Sequence, residues 1–419
     1  MLYTCENILK YSVGGILWLA SVVFRCLFID ASESRGGIGM CRKLFFSISR
    51  MSVMCLLLCV VGASCKRVSN KNGSFAADTL QYATWLQIER QENIKLVTIK
   101  NPWQPSTSLV RYVLVSKTDT LPDDLPEGEL IRTPVERAVM HNAVHAYLAQ
   151  LLGVENKVVG LCDMDYVISD DLRKRVADSL LFDAGSSVQF NMERCVSLGA
   201  DALFVSPLQD VSTAGLRAIG LPIVECVDYM ETHPLGRAEW MKFFGLLFEC
   251  EQRADSLFAV TKEIYLSVAA SVEQQKIRPR LLLDLPQGGA WYVPAGKSYL
   301  GTLMKDAGAD YVFASSEGMG SMAMSRERVL NEGRSADIWL IKYASGAALT
   351  YHMLEREDLL FTTLKPWKER RIYACNTLQA DYYERIPFQP HLLLSELVKL
   401  FVKDETVVAD SAYFQPLQE

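Results

Sequence analysis

The strongest constraint on the fold is a long helical segment that separates two blocks of alternating strands and helices. Residues 249–276 contain neither glycine nor proline, and four apolar residues recur along them at helical spacing: Leu257, Val260, Ile264 and Val268. At about 1.5 Å per residue, a helix of roughly 25 residues spans about 37 Å, which is enough to cross a whole domain. We therefore expect one continuous helix that joins two separately packed halves.

Both halves show strands that alternate with helices. Strand candidates precede the long helix at 136–140, 157–162, 202–206 and 221–227, and follow it at 278–286, 311–314, 336–343 and 370–374. Such alternation predicts parallel sheets covered by helices. The fold class is therefore predicted as α/β, with two parallel-sheet α/β lobes joined by a single long α-helix. Two further β-rich segments, 94–101 and 109–117, predict an antiparallel hairpin ahead of the first lobe.

The N-terminal region has the layout of an export signal. Basic residues at 42, 43 and 50 precede an apolar run at 51–61, the small residues 62–64 and then Cys65. A cysteine directly after the small residues resembles the lipidation site of bacterial lipoproteins. Counted from Met40, the signal has an ordinary length, so Met40 is the expected start. An ordinary cleaved signal and a membrane segment at 11–29 remain as alternatives.

These features divide the chain into six predicted parts. They are an upstream extension (1–39), a lipoprotein signal peptide (40–64), a flexible tether (65–80), an N-terminal α/β lobe (81–248), the linker helix (249–276) and a C-terminal α/β lobe (277–419).

Charge and cysteine content exclude several classes of function. The net charge of −6 provides no overall basic field, so no nucleic-acid partner is expected. Six of the 11 cysteines lie at or before Cys65, and the other five are far apart in sequence. The body therefore shows no zinc-finger spacing and no disulfide framework, and we expect small buried hydrophobic side chains at these positions.

Candidate ligand contacts lie where strands of the two lobes end, because ligands of open α/β sheets bind beyond the carboxyl ends of the strands. The predicted ligand-binding residues are His141, Asn142, Asp165, Tyr166, Tyr229, Trp291, Tyr292 and Tyr343. Aromatic side chains suit flat macrocycles and catechols, although core packing is the alternative for each one. Trp291 and Tyr292 are favoured because Gly288 and Gly289 beside them permit a close backbone approach.

Two histidines raise the question of a bound metal. His141 and His145 are four residues apart, which on a helix places both imidazoles on one face. No third histidine is near in sequence, so further ligands such as Asp228 or Glu231 would have to come from other strand ends. Solvated or capping histidines are the alternative, and we predict no resident metal and no cofactor.

Enzymatic motifs are weak throughout the chain. The sequence has no G-x-S-x-G elbow and no phosphate-binding P-loop. Residues 318–323 fit a loose G-x-G-x-x-A pattern, but they lie four residues past a strand and not in the tight turn that a dinucleotide needs. We therefore expect a binding protein and not an enzyme.

Five segments resemble one family of binding proteins. They are RTPVERAVMHNAVHAYLAQLLGVENKVVGLCD, NMERCVSLGADALFVSP, THPLGRAEWMKFFGLLF, GKSYLGTLMKDAGADYVF and MSRERVLNEGRSADIWLI, in this order between residues 94 and 402. They are similar to segments of ABC-transporter substrate-binding proteins of the class that binds ferric siderophores, haem or vitamin B12. One departure is that Phe248, Glu249 and Cys250 replace the usual Gly-Lys break before the linker helix.

The resemblance implies a function and a set of partners. The protein would be a monomeric lipoprotein, anchored through Cys65 on the periplasmic side of a bacterial membrane. It would capture an iron chelate, either a ferric siderophore or haem, between its lobes and deliver it to an ABC permease dimer with its ATPase. Glu193 and Glu327 match the family's permease-docking glutamates. Cobalamin and free zinc or manganese ions are the alternative ligands.

Overall fold

The computed structural model describes residues 75–209, 214–217, 220–275, 278–401 and 412–419. The predicted extension, signal peptide, Cys65 and most of the tether lie outside these residues. Among the residues that are described, no helix is both long and apolar enough to cross a lipid bilayer.

A five-stranded sheet opens the described chain. Its strands, in spatial order, are β1 (Ala76–Ala77), β2 (Leu86–Gln91), β3 (Ile94–Lys100), β4 (Ser108–Ser116) and β5 (Glu129–Thr133). Strands β3 and β4 pair antiparallel, with Ile94 opposite Val115, so the predicted hairpin is confirmed. Strand β5 pairs with β4 in parallel. Alternate residues such as Val97 and Tyr112 are fully buried on the face that packs against the N-terminal lobe.

The N-terminal lobe contains a parallel sheet in the order β12-β11-β6-β7-β8, with a small two-stranded sheet of β9 and β10 beside it. The strands are β6 (Ala138–Met140), β7 (Val158–Leu161), β8 (Phe182–Asp183), β9 (Gly185–Ser186), β10 (Gln189–Phe190), β11 (Ala202–Val205) and β12 (Ile223–Glu225). The helices are α1 (Ala143–Leu151), α2 (Asp170–Ala177), α3 (Met192–Ser197), α4 (Ala214–Arg217), α5 (Pro234–Glu239) and α6 (Met241–Phe248). Nearly all residues of the central strands are buried, as expected for a sheet covered on both faces.

The long helix, α7 (Glu251–Val272), joins the two lobes. It begins after Glu249, whose left-handed backbone (φ 55°) ends α6. Its buried side chains are Ala254, Phe258, Thr261, Tyr265 and Val272. The predicted apolar stripe is therefore only partly buried. Leu257 and Val268 are half-buried against the cores, whereas Val260 is 54% exposed and Ile264 is 39% exposed. The buried face of this helix therefore consists mainly of small, aromatic and hydroxyl side chains, whereas the branched residues Val260 and Ile264 face solvent.

The C-terminal lobe repeats the parallel-sheet plan, in the order β16-β13-β18-β19-β20 with an antiparallel last pair. Strands β14, β15 and β17 form a separate antiparallel sheet. The strands are β13 (Arg280–Leu283), β14 (Pro286–Gln287), β15 (Ala290–Pro294), β16 (Asp310–Tyr311), β17 (Ser321–Met324), β18 (Ile338–Tyr343), β19 (Ile372–Asn376) and β20 (Gln415–Pro416). The helices are α8 (Tyr299–Asp306), α9 (Arg326–Gly333), α10 (Tyr351–Glu357), α11 (Lys365–Lys368), α12 (Tyr382–Arg385) and α13 (Pro390–Phe401). The predicted fold class, two parallel-sheet lobes joined by one long helix, is confirmed.

The two lobes exchange side chains across their contact. Phe388 belongs to the C-terminal lobe but is fully buried in the N-terminal core, with its ring 6.5 Å from that of Phe244. In the opposite direction, Leu235 of α5 is fully buried in the C-terminal core. Each core is therefore completed by a residue of the other lobe.

We expect Phe388→Ala to destabilise the protein by about 3–5 kcal/mol, because it removes a fully buried ring and leaves a cavity at the lobe contact. Urea denaturation of the full chain measures this change. Leu359→Ala is the matched control, since that side chain is 69% exposed and should change stability by less than about 0.5 kcal/mol. A loss below about 1 kcal/mol for Phe388→Ala would show that the lobes do not depend on this contact.

Candidate functional site

The two lobes meet where Glu384 of α12 bonds to the backbone of the N-terminal lobe. Its carboxylate accepts hydrogen bonds from the N–H groups of Ile168 (2.7 Å) and Ser169 (2.9 Å). Only 3% of Glu384 is exposed, and burial raises the pKa of this carboxyl although the two N–H donors act against that effect. Close by, the Tyr147 hydroxyl donates to Gln389 at 3.3 Å. These bonds fix loops that follow strands of opposite lobes.

Two exposed tyrosines flank this contact, one from each lobe. Tyr166 follows β7, lies two residues before Ile168 and is 67% exposed. Tyr383 follows β19, immediately precedes Glu384 and is 55% exposed. Tyr166 is a predicted contact, whereas the sequence analysis missed Tyr383. No local motif marks Tyr383, and its neighbour Tyr382 is buried in the core.

A nearly buried ion pair lies at the strand ends of the C-terminal lobe. Lys342, the penultimate residue of β18, places its Nζ 2.5 Å from Asp284 Oδ1, and both side chains are less than a fifth exposed. Burial alone would lower the pKa of Lys342, but Asp284 and then Tyr383 raise it above its ordinary value. Asp284 has a left-handed backbone (φ 63°), and its carbonyl accepts from the Trp339 indole N–H at 2.8 Å. Strained backbone and buried charge at a strand end are features of functional sites.

The sequence signal for this pair is a lysine near the end of the otherwise apolar strand β18. The sequence analysis selected the next residue, Tyr343, which is half-buried and packs against the C-terminal core.

His141 and Asn142 organise the loop after β6. The N–H of Ser206 donates to His141 Nδ1 (3.2 Å), so Nε2 carries the proton and donates to the Ser187 carbonyl (2.7 Å). Burial lowers the pKa of His141, which favours this neutral form. Asn142 caps α1 by accepting from the His145 N–H and also donates to Ser206 Oγ. The polar atoms of both predicted ligand contacts are thus occupied by the protein itself.

The predicted helical pairing of His141 with His145 is wrong, because His141 lies before the first turn of α1. His145 is instead buried, with its Nε2 2.9 Å from Asp228 Oδ1. Asp228 also accepts from Arg237 Nε at 2.9 Å. Burial alone would raise the pKa of Asp228, but His145 and Arg237 lower it. Within the described ranges, no group of three or more His, Cys, Asp or Glu residues could hold a metal ion.

The predicted position of Trp291 in the cleft is wrong, because its indole is fully buried in the C-terminal core. Its N–H donates to the Leu283 carbonyl at 3.1 Å. Strand β15 alternates its faces, so Trp291 points inward and Tyr292 is half exposed. Gly288 and Gly289, both with positive φ, form the two-residue turn between β14 and β15, which explains this glycine pair without a ligand.

The remaining predicted contacts differ in exposure. Asp165 is exposed beside Tyr166. Tyr229 is half-buried and donates its hydroxyl to the Pro207 carbonyl, and burial raises its pKa to about 12. Of the predicted ligand contacts, Asp165, Tyr166 and Tyr292 are therefore the exposed ones.

The two predicted docking glutamates occupy equivalent positions in the two lobes. Glu193 lies in the first turn of α3, which is capped by Asn191, and Glu327 lies in the first turn of α9, which is capped by Ser325. Both are exposed, and within the described part of the chain neither forms an ion pair. A carboxylate in this position is stabilised by the helix dipole and stays available to a partner.

Curated relatives share much of this chain. Two uncharacterized lipoproteins of Methanocaldococcus jannaschii are 24% and 22% identical to it over 280 and 287 residues. The aligned segments cover 63% and 65% of this chain, and 66% and 71% of the respective relatives.

Solved structures share its fold. One is a possible iron-binding (periplasmic solute-binding) protein from Staphylococcus epidermidis, with a TM-score of 0.51, 18% identity and coverage of 65% of this chain and 100% of that chain. Another is S. aureus IsdE complexed with haem, with a TM-score of 0.51, 16% identity and coverage of 64% and 99%.

A family model described as periplasmic binding protein matches residues 138–376. The match begins at β6 and ends at β19, so it includes both parallel sheets and the long helix but not the N-terminal sheet. Because it covers more than half of the chain, the protein belongs to the periplasmic binding protein family, as its five sequence segments predict.

Proposed function

We propose that this protein is the lipid-anchored substrate-binding component of an ABC importer, and that it binds an iron chelate, a ferric siderophore or haem, between its lobes. The observation that carries the proposal is the pair of exposed tyrosines, Tyr166 and Tyr383, that flank the lobe contact at the strand ends. Large exposed aromatic side chains at a two-sided crevice suit a flat or aromatic ligand, which they contact by stacking and area burial.

The state of the candidate metal ligands supports a chelate over a free metal ion. His141 and His145 are both engaged in hydrogen bonds within the protein, and Asp228 is paired with Arg237. Chelates bring their own metal ligands, so the protein has only to contact their organic surface. The similar structures include an Fe3+-hydroxamate transport protein and a haem complex, and they favour the same class of ligand.

The first test is thermal and urea unfolding of the full chain in detergent with four probes: haem, a ferric hydroxamate siderophore, cyanocobalamin and zinc chloride. We expect haem or the siderophore to stabilise the protein by about 2.7 kcal/mol at a hundredfold excess over Kd. Stabilisation by cyanocobalamin alone would reassign the ligand within the same class. Stabilisation by zinc alone, or by no probe, would contradict the proposal.

Variants locate the binding site in the same assay. Tyr166→Ala and Tyr383→Ala should each weaken binding of the stabilising probe by about tenfold, roughly 1.4 kcal/mol, without lowering the stability of the free protein. Leu359→Ala, an exposed residue outside the strand-end loops, serves as the control. Unchanged affinity in both tyrosine variants would remove these residues from the site.

The proposed anchor is the cysteine at the end of the export signal. We expect Cys65→Ser to release the protein from the membrane fraction, because the lipid would have no attachment point. Cell fractionation with mass spectrometry of the mature N-terminus checks this result, with wild type as the reference. A variant that stays in the membrane with Met1 intact would identify residues 11–29 as the anchor.

Glu193 and Glu327 are proposed to bind basic residues of the permease, one on each lobe. Ion pairs at the rim of an interface act mainly on encounter and orientation. The double variant Glu193→Ala, Glu327→Ala should therefore keep the Kd for the stabilising probe within about twofold, roughly 0.4 kcal/mol, while cellular uptake falls sharply. Normal uptake would contradict the docking role, and lost affinity would place these residues in the ligand site.

A further inference from the structure

We infer that residues 81–85, here called the strap, act as positioning residues that hold the two lobes in their relative orientation. The strap precedes β2 and lies ahead of residue 138, where the family match begins. The inference concerns the relation of the lobes and holds whatever ligand the protein binds.

The strap donates five consecutive backbone N–H groups to two buried glutamates. Gln81, Tyr82 and Ala83 donate to the carboxylate of Glu239, with Tyr82 the closest at 2.8 Å. The next two residues, Thr84 and Trp85, donate to Glu231 at 2.9 and 3.0 Å.

Both carboxylates depend on these donors. Glu239 is fully buried and Glu231 is 2% exposed. Side chains also bond to them: Lys242 Nζ donates to Glu239 (3.1 Å), and the Trp240 indole N–H (3.0 Å) and the Thr84 side chain bond to Glu231. The folded protein loses stability when a buried carboxylate loses its hydrogen-bond donors. We therefore expect the strap and the two glutamates to keep their positions together.

The glutamates lie at the two ends of a segment that reaches into the C-terminal lobe. Glu231 precedes α5, Glu239 is its last residue, and Leu235 between them is buried in the C-terminal core. The strap also touches α5 directly, because a Cβ added at Gly236 would lie 2.8 Å from the Tyr82 carbonyl oxygen. Fixing the strap therefore fixes the helix that carries Leu235 across the lobe boundary.

Tyr82 provides a second route to the C-terminal lobe. Its side chain packs against both cores, and its ring centroid lies 5.0 Å from that of His233. The His233 ring is 6.1 Å from Tyr265 of the long helix. The Tyr265 hydroxyl in turn donates to Asp306 of α8 at 2.7 Å. A continuous line of contacts thus runs from the strap to the C-terminal lobe.

The effect of the strap on the orientation of the lobes can be measured at the lobe contact formed by Glu384. The N–H groups of Ile168 and Ser169 bond to Glu384 of the other lobe, so their hydrogen exchange reports whether the lobes remain together. A purely local role for Tyr82 would leave these two amides unaffected, because they belong to a different loop of the N-terminal lobe.

The test is hydrogen–deuterium exchange of the full chain in detergent. Tyr82→Ala should accelerate exchange at Ile168 and Ser169 by about tenfold or more, because the ring contacts to His233 and both cores are lost. Tyr82→Phe keeps those contacts and should exchange like wild type.

The matched control is Val97→Ala, a fully buried position in the N-terminal sheet that should lower global stability without touching the strap. The inference is overturned if Tyr82→Ala leaves the two amides as protected as in wild type, or if Val97→Ala accelerates them equally. Neither result depends on a ligand, so failure here is distinguishable from failure of the proposed transport function.

Discussion

The structure depends on two buried carboxylates that collect the backbone N–H groups of one short segment. Glu231 and Glu239 would be unstable in an apolar interior without donors, and residues 81–85 supply five of them. This arrangement joins three parts of the chain that are distant in sequence: the N-terminal sheet, helix α5 and the core of the C-terminal lobe. Charge-assisted bonds to backbone groups are short and directional, so they set position as well as adding stability.

The lobe contact at the strand ends also depends on a buried carboxylate that accepts backbone N–H groups. Glu384 of the C-terminal lobe accepts hydrogen bonds from two N–H groups of the N-terminal lobe. Phe388 of the C-terminal lobe is buried in the N-terminal core, and Leu235 of the N-terminal lobe is buried in the C-terminal core. Polar bonds define the orientation of the lobes, and the exchanged apolar side chains supply the burial that holds them together. The loops that carry Tyr166 and Tyr383 are therefore joined through the hydrogen bonds of Glu384.

The sequence predicted the elements better than it predicted which faces they bury. Alternating strands and helices, the long helix and the antiparallel hairpin follow from local periodicity and turn residues, and the structure contains all three. The buried face of α7 could not be read from hydrophobicity, because the contacts of Phe258, Thr261 and Tyr265 are tertiary. Trp291 was misplaced for a similar reason: the two-residue period of β15 is local, but which face meets the core is not.

The two exposed tyrosines also differ in how much of their position the local sequence predicts. Tyr166 follows a predicted strand and could be found from its position, whereas Tyr383 is distinctive only through its neighbour Glu384, which bonds to the other lobe.

The glutamates show the division between local and tertiary information most clearly. Glu193 and Glu327 are exposed in the first turns of helices. The carboxylates of Glu231, Glu239 and Glu384 are buried and accept backbone N–H groups. Each buried carboxylate accepts backbone N–H groups from a segment far away in sequence, so it helps to fix the position of that segment. The sequence shows only a glutamate in both cases, and the tertiary contacts that bury one kind and expose the other separate them.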